Sequence, residues 1–323
     1  MVKALFAGIS LILAVSAQAQ NEFTIKGTVT GLKDSTVIML YRSDGRVMSS
    51  IAQDTVFNES FCFKEKTAED KPEALMIMAR DKDFPSTWLD VWVAPNTVST
   101  VRGNNKLLRT WDVSSTIKEQ QILNRYRQAT IDETNQDQEL SIERMKKMPL
   151  LRSGNLSTEE SEKLKREMTE LEKKQDSVRH IISKKEIEIM QQTPVETIWM
   201  DKLRGLSMEM KYMKDFPYKK EVFALYEKLS DDEKQSAIGK EISVYLYPPV
   251  TVKEGDEMAD ADLYDLAGNI HHLADYKGKY LLIDFWSRGC GPCMMALPEM
   301  KEIFETQKDK VTVISLSTDT EKG

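Results

Sequence analysis

The chain is poor in the residues that build metal sites, with three histidines and three cysteines among 323 residues. A structural zinc takes most of its ligands from these two residue types, so little material is left for one. A basic excess is also missing. Lys plus Arg number 45 against 52 Asp plus Glu, a formal charge of −7, and no mature segment has the positive footprint that a phosphate backbone demands. Beyond the N-terminus no stretch reaches the ~18 apolar residues that a membrane span takes. Charged residues at 30% and hydrophobic residues at 41% argue against disorder and describe an ordinary globular balance. At ~150 residues per domain, a chain of this length suggests about two domains.

Residues 1–19 read as an export address. Lys3 supplies a positive n-region, Leu5 to Val15 form an apolar core too short to cross a bilayer, and Ala17-Gln18-Ala19 is a small-residue cleavage site before Gln20. An N-terminal core helix is the structural alternative, but this stretch has no polar face. No cysteine lies beside the cleavage site, which argues against a lipid anchor. Loss of Lys3 takes the formal charge from −7 to −8. The expected location is therefore the periplasm or cell envelope, where disulfides form and must be managed.

Three regions follow. Residues 20–112 read as β-rich, with Phe23, Ile25, Gly27 and Val29 alternating with polar partners and Thr36 to Tyr41 forming a buried-type strand. Further runs at Phe61 to Phe63, Ala74 to Met78 and Trp88 to Val93 suggest a small sandwich or barrel. Phe61 and Phe63 share one face, so Cys62 points to the other, where it is expected to pack as a small hydrophobe. Residues 113–249 read as helical. Ser157 with Glu160, and Ser230 with Glu233, have capping-box spacing, and Thr193-Pro194-Val195-Glu196 combines the same spacing with a proline at the expected first helical position. Residues 157–191 hold 9 acids and 8 bases with a narrow seam of Leu164, Met168, Leu171, Val178 and Ile182, expected to pack as a helical hairpin rather than a coiled coil. Met208, Met210 and Met213 read as helix filler rather than a copper box.

Residues 250–323 change character again. Pro248-Pro249 ends the helices, and Leu263 to Ile270 reads as a hairpin turning at Gly268-Asn269. Tyr280 to Trp286 is an apolar strand interrupted by Asp284, Met294 to Glu305 has a helical pattern, and Val311 to Leu316 is a second buried strand. Strand, helix and strand make a βαβ unit with Cys290-Gly291-Pro292-Cys293 at the helix N-terminus. That position favours a thiolate at Cys290, and Cys293 lies within reach to resolve a mixed disulfide. Pro292 costs no hydrogen bond there. Asp284 would be a costly structural residue in an apolar strand and is placed to take a proton from Cys293. Three plainer readings stay open: a structural disulfide, a zinc site drawing on His271 and His272, and an Asp284 paired with Lys279 or another cation.

Ile283-Asp284-Phe285-Trp286 followed by Cys290-Gly291-Pro292-Cys293 resembles the active-site region of thioredoxins. Leu273 to Tyr280 and Leu297-Pro298-Glu299 are similar to the exported TlpA/ResA-type thiol:disulfide oxidoreductases. The resemblance implies a multi-domain chain: an N-terminal β-sandwich-like domain, a helical connector and a C-terminal α/β thioredoxin-like fold. It implies Cys290 as attacking thiol, Cys293 as resolving thiol, Asp284 as a buried acid and Trp286 packed beside the disulfide, with Gly291 and Pro292 forming the loop. It calls on no cofactor, takes disulfide-containing envelope proteins as substrates and a membrane thiol reductant of the DsbD/CcdA type as electron donor, and suggests cytochrome c maturation. Gly289 stands where the family usually has Trp, and Ala296 where exported members often carry Glu. The family's cis-proline has no counterpart, and residues 251–323 are fewer than the ~100 such a domain takes, so a truncated domain is expected. The rival from another class is an envelope scaffold with an inert thioredoxin remnant. A peroxidase is the third reading, but the segment from Asp284 to Cys290 does not match the usual peroxidatic pattern.

Overall fold

The computed structural model describes residues 21–43, 47–80, 84–152, 156–248, 253–287, 290–317 and 319. The expected leader, residues 1–19, lies outside the described residues. The chain divides into two compact units, residues 1–249 and 250–323.

The first unit opens with eight strands: β1 (Glu22–Val29), β2 (Val37–Ser43), β3 (Met48–Thr55), β4 (Ser60–Lys66), β5 (Glu73–Ala79), β6 (Leu89–Val93), β7 (Val98–Gly103) and β8 (Asp112–Ser114). They form two four-stranded sheets, ordered β4-β1-β7-β8 and β3-β2-β5-β6. All neighbours are antiparallel except β1 and β7, which run parallel. In β1 the period-two pattern sends Phe23, Ile25, Gly27 and Val29 inward and leaves Glu22 and Lys26 exposed. These residues meet Ile38 and Leu40 of β2, Phe61 and Phe63 of β4, and Leu75 and Ile77 of β5 in one buried cluster. Gly27 is required at its place, because a Cβ there would overlap the ring of Phe61, its antiparallel partner on β4. Cys62 departs from the sequence expectation. Alternation does turn it away from Phe61 and Phe63, but that face of edge strand β4 is uncovered, so the thiol is free and exposed rather than packed.

Seven helices follow: α1 (Lys118–Ala129), α2 (Ile131–Arg152), α3 (Thr158–Gln192), α4 (Thr197–Tyr212), α5 (Lys219–Tyr226), α6 (Asp231–Gln235) and α7 (Ala237–Leu246). Two of the three expected capping boxes are formed, at Ser157 with Glu160 and at Ser230 with Glu233. Helices α2 and α3 pack as a hairpin, with Leu171 and Val178 buried and Leu164, Met168 and Ile182 half-buried. The third expected start is displaced. Helix α4 begins at Thr197, with Glu196 as N-cap and no side-chain cap. Thr193 instead closes α3, its hydroxyl donating to the Ile189 carbonyl at 3.0 Å, while Glu196 accepts from Lys118 at 2.9 Å. A second buried cluster gathers Tyr126, Met190, Trp199 and Leu203 with Trp92. Trp92 ties helices to sheet, because its β6 neighbours Val91 and Val93 face the first cluster, and its backbone N–H donates to the buried Gln120 side chain at 2.8 Å.

The second unit contains β9 (Leu263–Tyr264), β10 (Ile270–His271), β11 (Tyr280–Trp286), α8 (Gly291–Gln307) and β12 (Val311–Ser317). Strands β9 and β10 pair as the expected hairpin, but its turn lies earlier than predicted. The Gly268 N–H donates to the Asp265 carbonyl, which centres the turn on Leu266-Ala267, and Gly268 follows at φ +81°, the left-handed conformation that favours glycine. Strands β11 and β12 pair in parallel across the α8 crossover, with Asp284 opposite Ser315 and Trp286 opposite Ser317. Among the described residues no helix is long and apolar enough to cross a membrane.

Candidate active site

Strand β11 delivers the chain to the N-terminus of α8, and Cys290 is the N-cap of that helix. Its backbone N–H donates to the Ser287 carbonyl at 3.1 Å, and its carbonyl accepts the first helical bond, from Met294, at 3.1 Å. Its sulfur accepts from the Cys293 N–H at 3.2 Å, satisfying one of the helix's otherwise unpaired donors. Gly291 and Pro292 are the first two helical residues, where a missing N–H removes no helical bond. Cys290 and Cys293 are joined as a disulfide with their Cα atoms 5.2 Å apart, and both are half-buried.

The structure places the other sequence-selected residues on the strand leading in. Asp284 and Trp286 are two apart on β11 and so share one face, while Phe285 points to the opposite face and is exposed. Asp284 is half-buried. The alternative pairing with Lys279 is not formed, since that ammonium reaches the Lys308 carbonyl at 3.4 Å. Gly289 lies outside the described residues, and Ala296 sits on α8, half-buried. Met294 and Met295, passed over in the sequence, are exposed directly after Cys293. Consecutive helical positions point to different sides, so two apolar residues in a row were a signal that one of them must face solvent.

His271 and His272 are engaged by carboxylates. His271 Nε2 lies 3.2 Å from Asp265, and His272 approaches Asp260 and Asp262 at 3.7 Å each. Hydrogen bonds from Asn269, His271 and the Ala267 backbone hold the Asp265 carboxyl well below the usual carboxylate range. Among the described residues no three His, Cys, Asp or Glu side chains come together in a group that could hold a metal ion.

Residues 254–322 match the family model described as AhpC/TSA family. The thioredoxin-like protein YneN of Bacillus subtilis is 34% identical over 80 residues, covering 24% of this chain and 47% of that protein. The thiol-disulfide oxidoreductase ResA of Geobacillus kaustophilus is 36% identical over 74 residues, covering 23% and 42%, and that of Bacillus cereus is 31% identical over 98 residues, covering 30% and 47%. The chain spans about half the length of the curated relatives it matches. No solved structure matches it. With its cysteine pair capping α8 behind β11, the C-terminal region is similar to the AhpC/TSA family and to thioredoxin-like thiol-disulfide oxidoreductases.

Proposed function

We propose that the protein is an exported thiol:disulfide oxidoreductase that reduces disulfides of envelope proteins through Cys290 and Cys293. The observation that carries this reading is the Cys290–Cys293 disulfide at the N-terminus of α8. In the reduced protein the Cys290 thiolate attacks one sulfur of a substrate disulfide. That bond breaks, one substrate sulfur leaves as thiolate, and the other is held in a mixed disulfide with Cys290. Cys293 then gives its proton to Asp284 and attacks the Cys290 sulfur. The second substrate sulfur leaves, and the protein ends as the Cys290–Cys293 disulfide, having passed two electrons to the substrate. Trp286 packs beside the sulfur pair, and Gly291 and Pro292 hold the loop.

The cycle closes when a membrane dithiol of the DsbD/CcdA type returns two electrons by the same exchange. Export rests on the leader at residues 1–19 with its cleavage site near Ala19, and the proposal extends to the disulfides managed during cytochrome c maturation. Trapping tests the reading. Cys293→Ser should accumulate mixed disulfides that dithiothreitol releases, and Cys290→Ser should abolish turnover of a model disulfide. A protein in which neither substitution has its effect is not an oxidoreductase of this kind.

A further inference from the structure

We propose that a cleft in the N-terminal unit, between Asp90 of β6 and Arg109 of the helical turn Leu108–Thr110, binds a small α-amino acid as its zwitterion, ammonium on Asp90 and carboxylate on Arg109. The cleft lies where sheet and helices meet and encloses about 70 Å³, with the buried Thr130 and Thr134 among its lining and the mutually bonded Glu186 and Lys202 on one wall. At ~10–15 Å³ per water-sized occupant, that space suits a molecule the size of glycine or alanine.

Five charged side chains line this space; Arg127 is held by Asp112 at 2.9 Å and Glu186 and Lys202 bond each other, which leaves Asp90 and Arg109 with capacity. Among the described residues Asp90 accepts one side-chain hydrogen bond, from the Trp88 indole at 3.0 Å. Burial pushes its carboxyl above the usual range, and Lys202 and Arg109 oppose this through their charge. Among the described residues no salt bridge closes between Asp90 and either cation. Among the described residues Arg109 has one ionic partner, Asp137 at 3.6 Å, and that carboxylate already accepts from Arg179 and Gln175 at 3.0 Å each. An acid and a guanidinium thus face one cleft unbridged. A lone cation entering it would meet Arg109, Arg127 and Lys202, and a lone anion would meet Asp90 and Glu186. A molecule carrying an ammonium and a carboxylate on the same carbon satisfies both sides at once.

Calorimetric titration of the full chain with glycine, L-alanine, acetate and methylammonium tests this. Saturable binding of glycine or alanine is expected, with acetate and methylammonium each weaker by about tenfold or more, because each makes one of the two charge-assisted contacts. Asp90→Asn keeps the side-chain shape and the acceptor for Trp88. It should weaken alanine by about tenfold or more and leave acetate within about twofold. Arg109→Gln should do the reverse, weakening alanine and acetate while sparing methylammonium, and urea midpoints matching the parent show that both variants are folded. Absence of saturable heat with either amino acid overturns the proposal. So does acetate binding as tightly as alanine, which would make the cleft an anion site, or an Asp90→Asn variant that binds alanine unchanged.

Discussion

Adding one methyl group at Gly27 tests the packing of the N-terminal unit. Gly27 lies directly opposite Phe61 in the β1–β4 register, and a Cβ built on it would overlap the edge of the Phe61 ring. Carbon atoms settle at ~3.5–4 Å, so the ring must retreat or the strands must part. Retreat is blocked, because Phe61 is 4% exposed and its ring lies 5.6 Å from that of Phe63 and 6.4 Å from that of Trp111. Overpacking of this kind costs about 1–3 kcal/mol. Against it, Gly27 does not have positive φ, so alanine fits its backbone and gains about 0.4–1 kcal/mol from a less flexible unfolded chain. Gly27→Ala should therefore destabilise the unit by about 1–2 kcal/mol. Urea unfolding followed by tryptophan fluorescence measures this, and a Phe61→Leu partner completes the cycle: the smaller side chain should recover about 1 kcal/mol in the Gly27→Ala background. An unchanged midpoint for Gly27→Ala, or two strictly additive substitutions, would refute the reasoning.

Three other outcomes follow from the same coordinates. Burial pushes the Glu209 carboxyl up to about 7, against the Ser183 hydroxyl donating at 2.6 Å. The folded chain thus keeps a proton that the unfolded chain loses near 4.3, so the contribution is full below that pH and is lost as pH rises through about 7. The difference is on the order of 3 kcal/mol, and Glu209→Gln should flatten the fall in urea midpoint between pH 5 and 8; a variant as pH-dependent as the parent would contradict this. Asp137→Ala should cost about 2 kcal/mol, because it strands Arg179 and the buried Gln175, with the charge term lessened by the partial exposure of Arg179; a loss under about 0.5 kcal/mol in urea unfolding would show the network to be idle. In the oxidised native chain a maleimide should modify Cys62 and spare Cys290 and Cys293, read by mass spectrometry, whereas a Cys62 that labels only in denaturant would show it to be buried.

Where structure is set by neighbours in the chain, the sequence was readable. The alternation of β1, the capping boxes at Ser157 and Ser230, and the apolar runs of β11 and β12 are local patterns, and the structure follows them. Strand β3 went unseen because Met48 to Thr55 is a polar edge segment, held by its ladder to β2 rather than by its own hydrophobicity. The capping motif at Thr193 misled because its spacing was right while its partners were engaged elsewhere, the threonine by α3 and Glu196 by Lys118, distant in sequence. Cys62 was oriented correctly by alternation, but alternation does not say whether a face is covered. The cysteine site was legible for the converse reason: Cys290, Gly291, Pro292 and Cys293 are consecutive, and one helix N-terminus fixes their geometry. Asp90 and Arg109 meet only through the packing of sheet against helices, and nothing in the spacing of those two residues announced it.

The central claim, that Cys290 and Cys293 form a working dithiol/disulfide pair, is tested most directly by redox titration. The chain is equilibrated in glutathione or dithiothreitol buffers of graded potential, free thiols are alkylated, and mass spectrometry counts the Cys290–Cys293 state at each step. A single reversible two-electron couple near the thioredoxin value of about −270 mV is the predicted result. Two thiols that titrate independently, with no defined couple and the reactivity of an unstructured peptide, would contradict it.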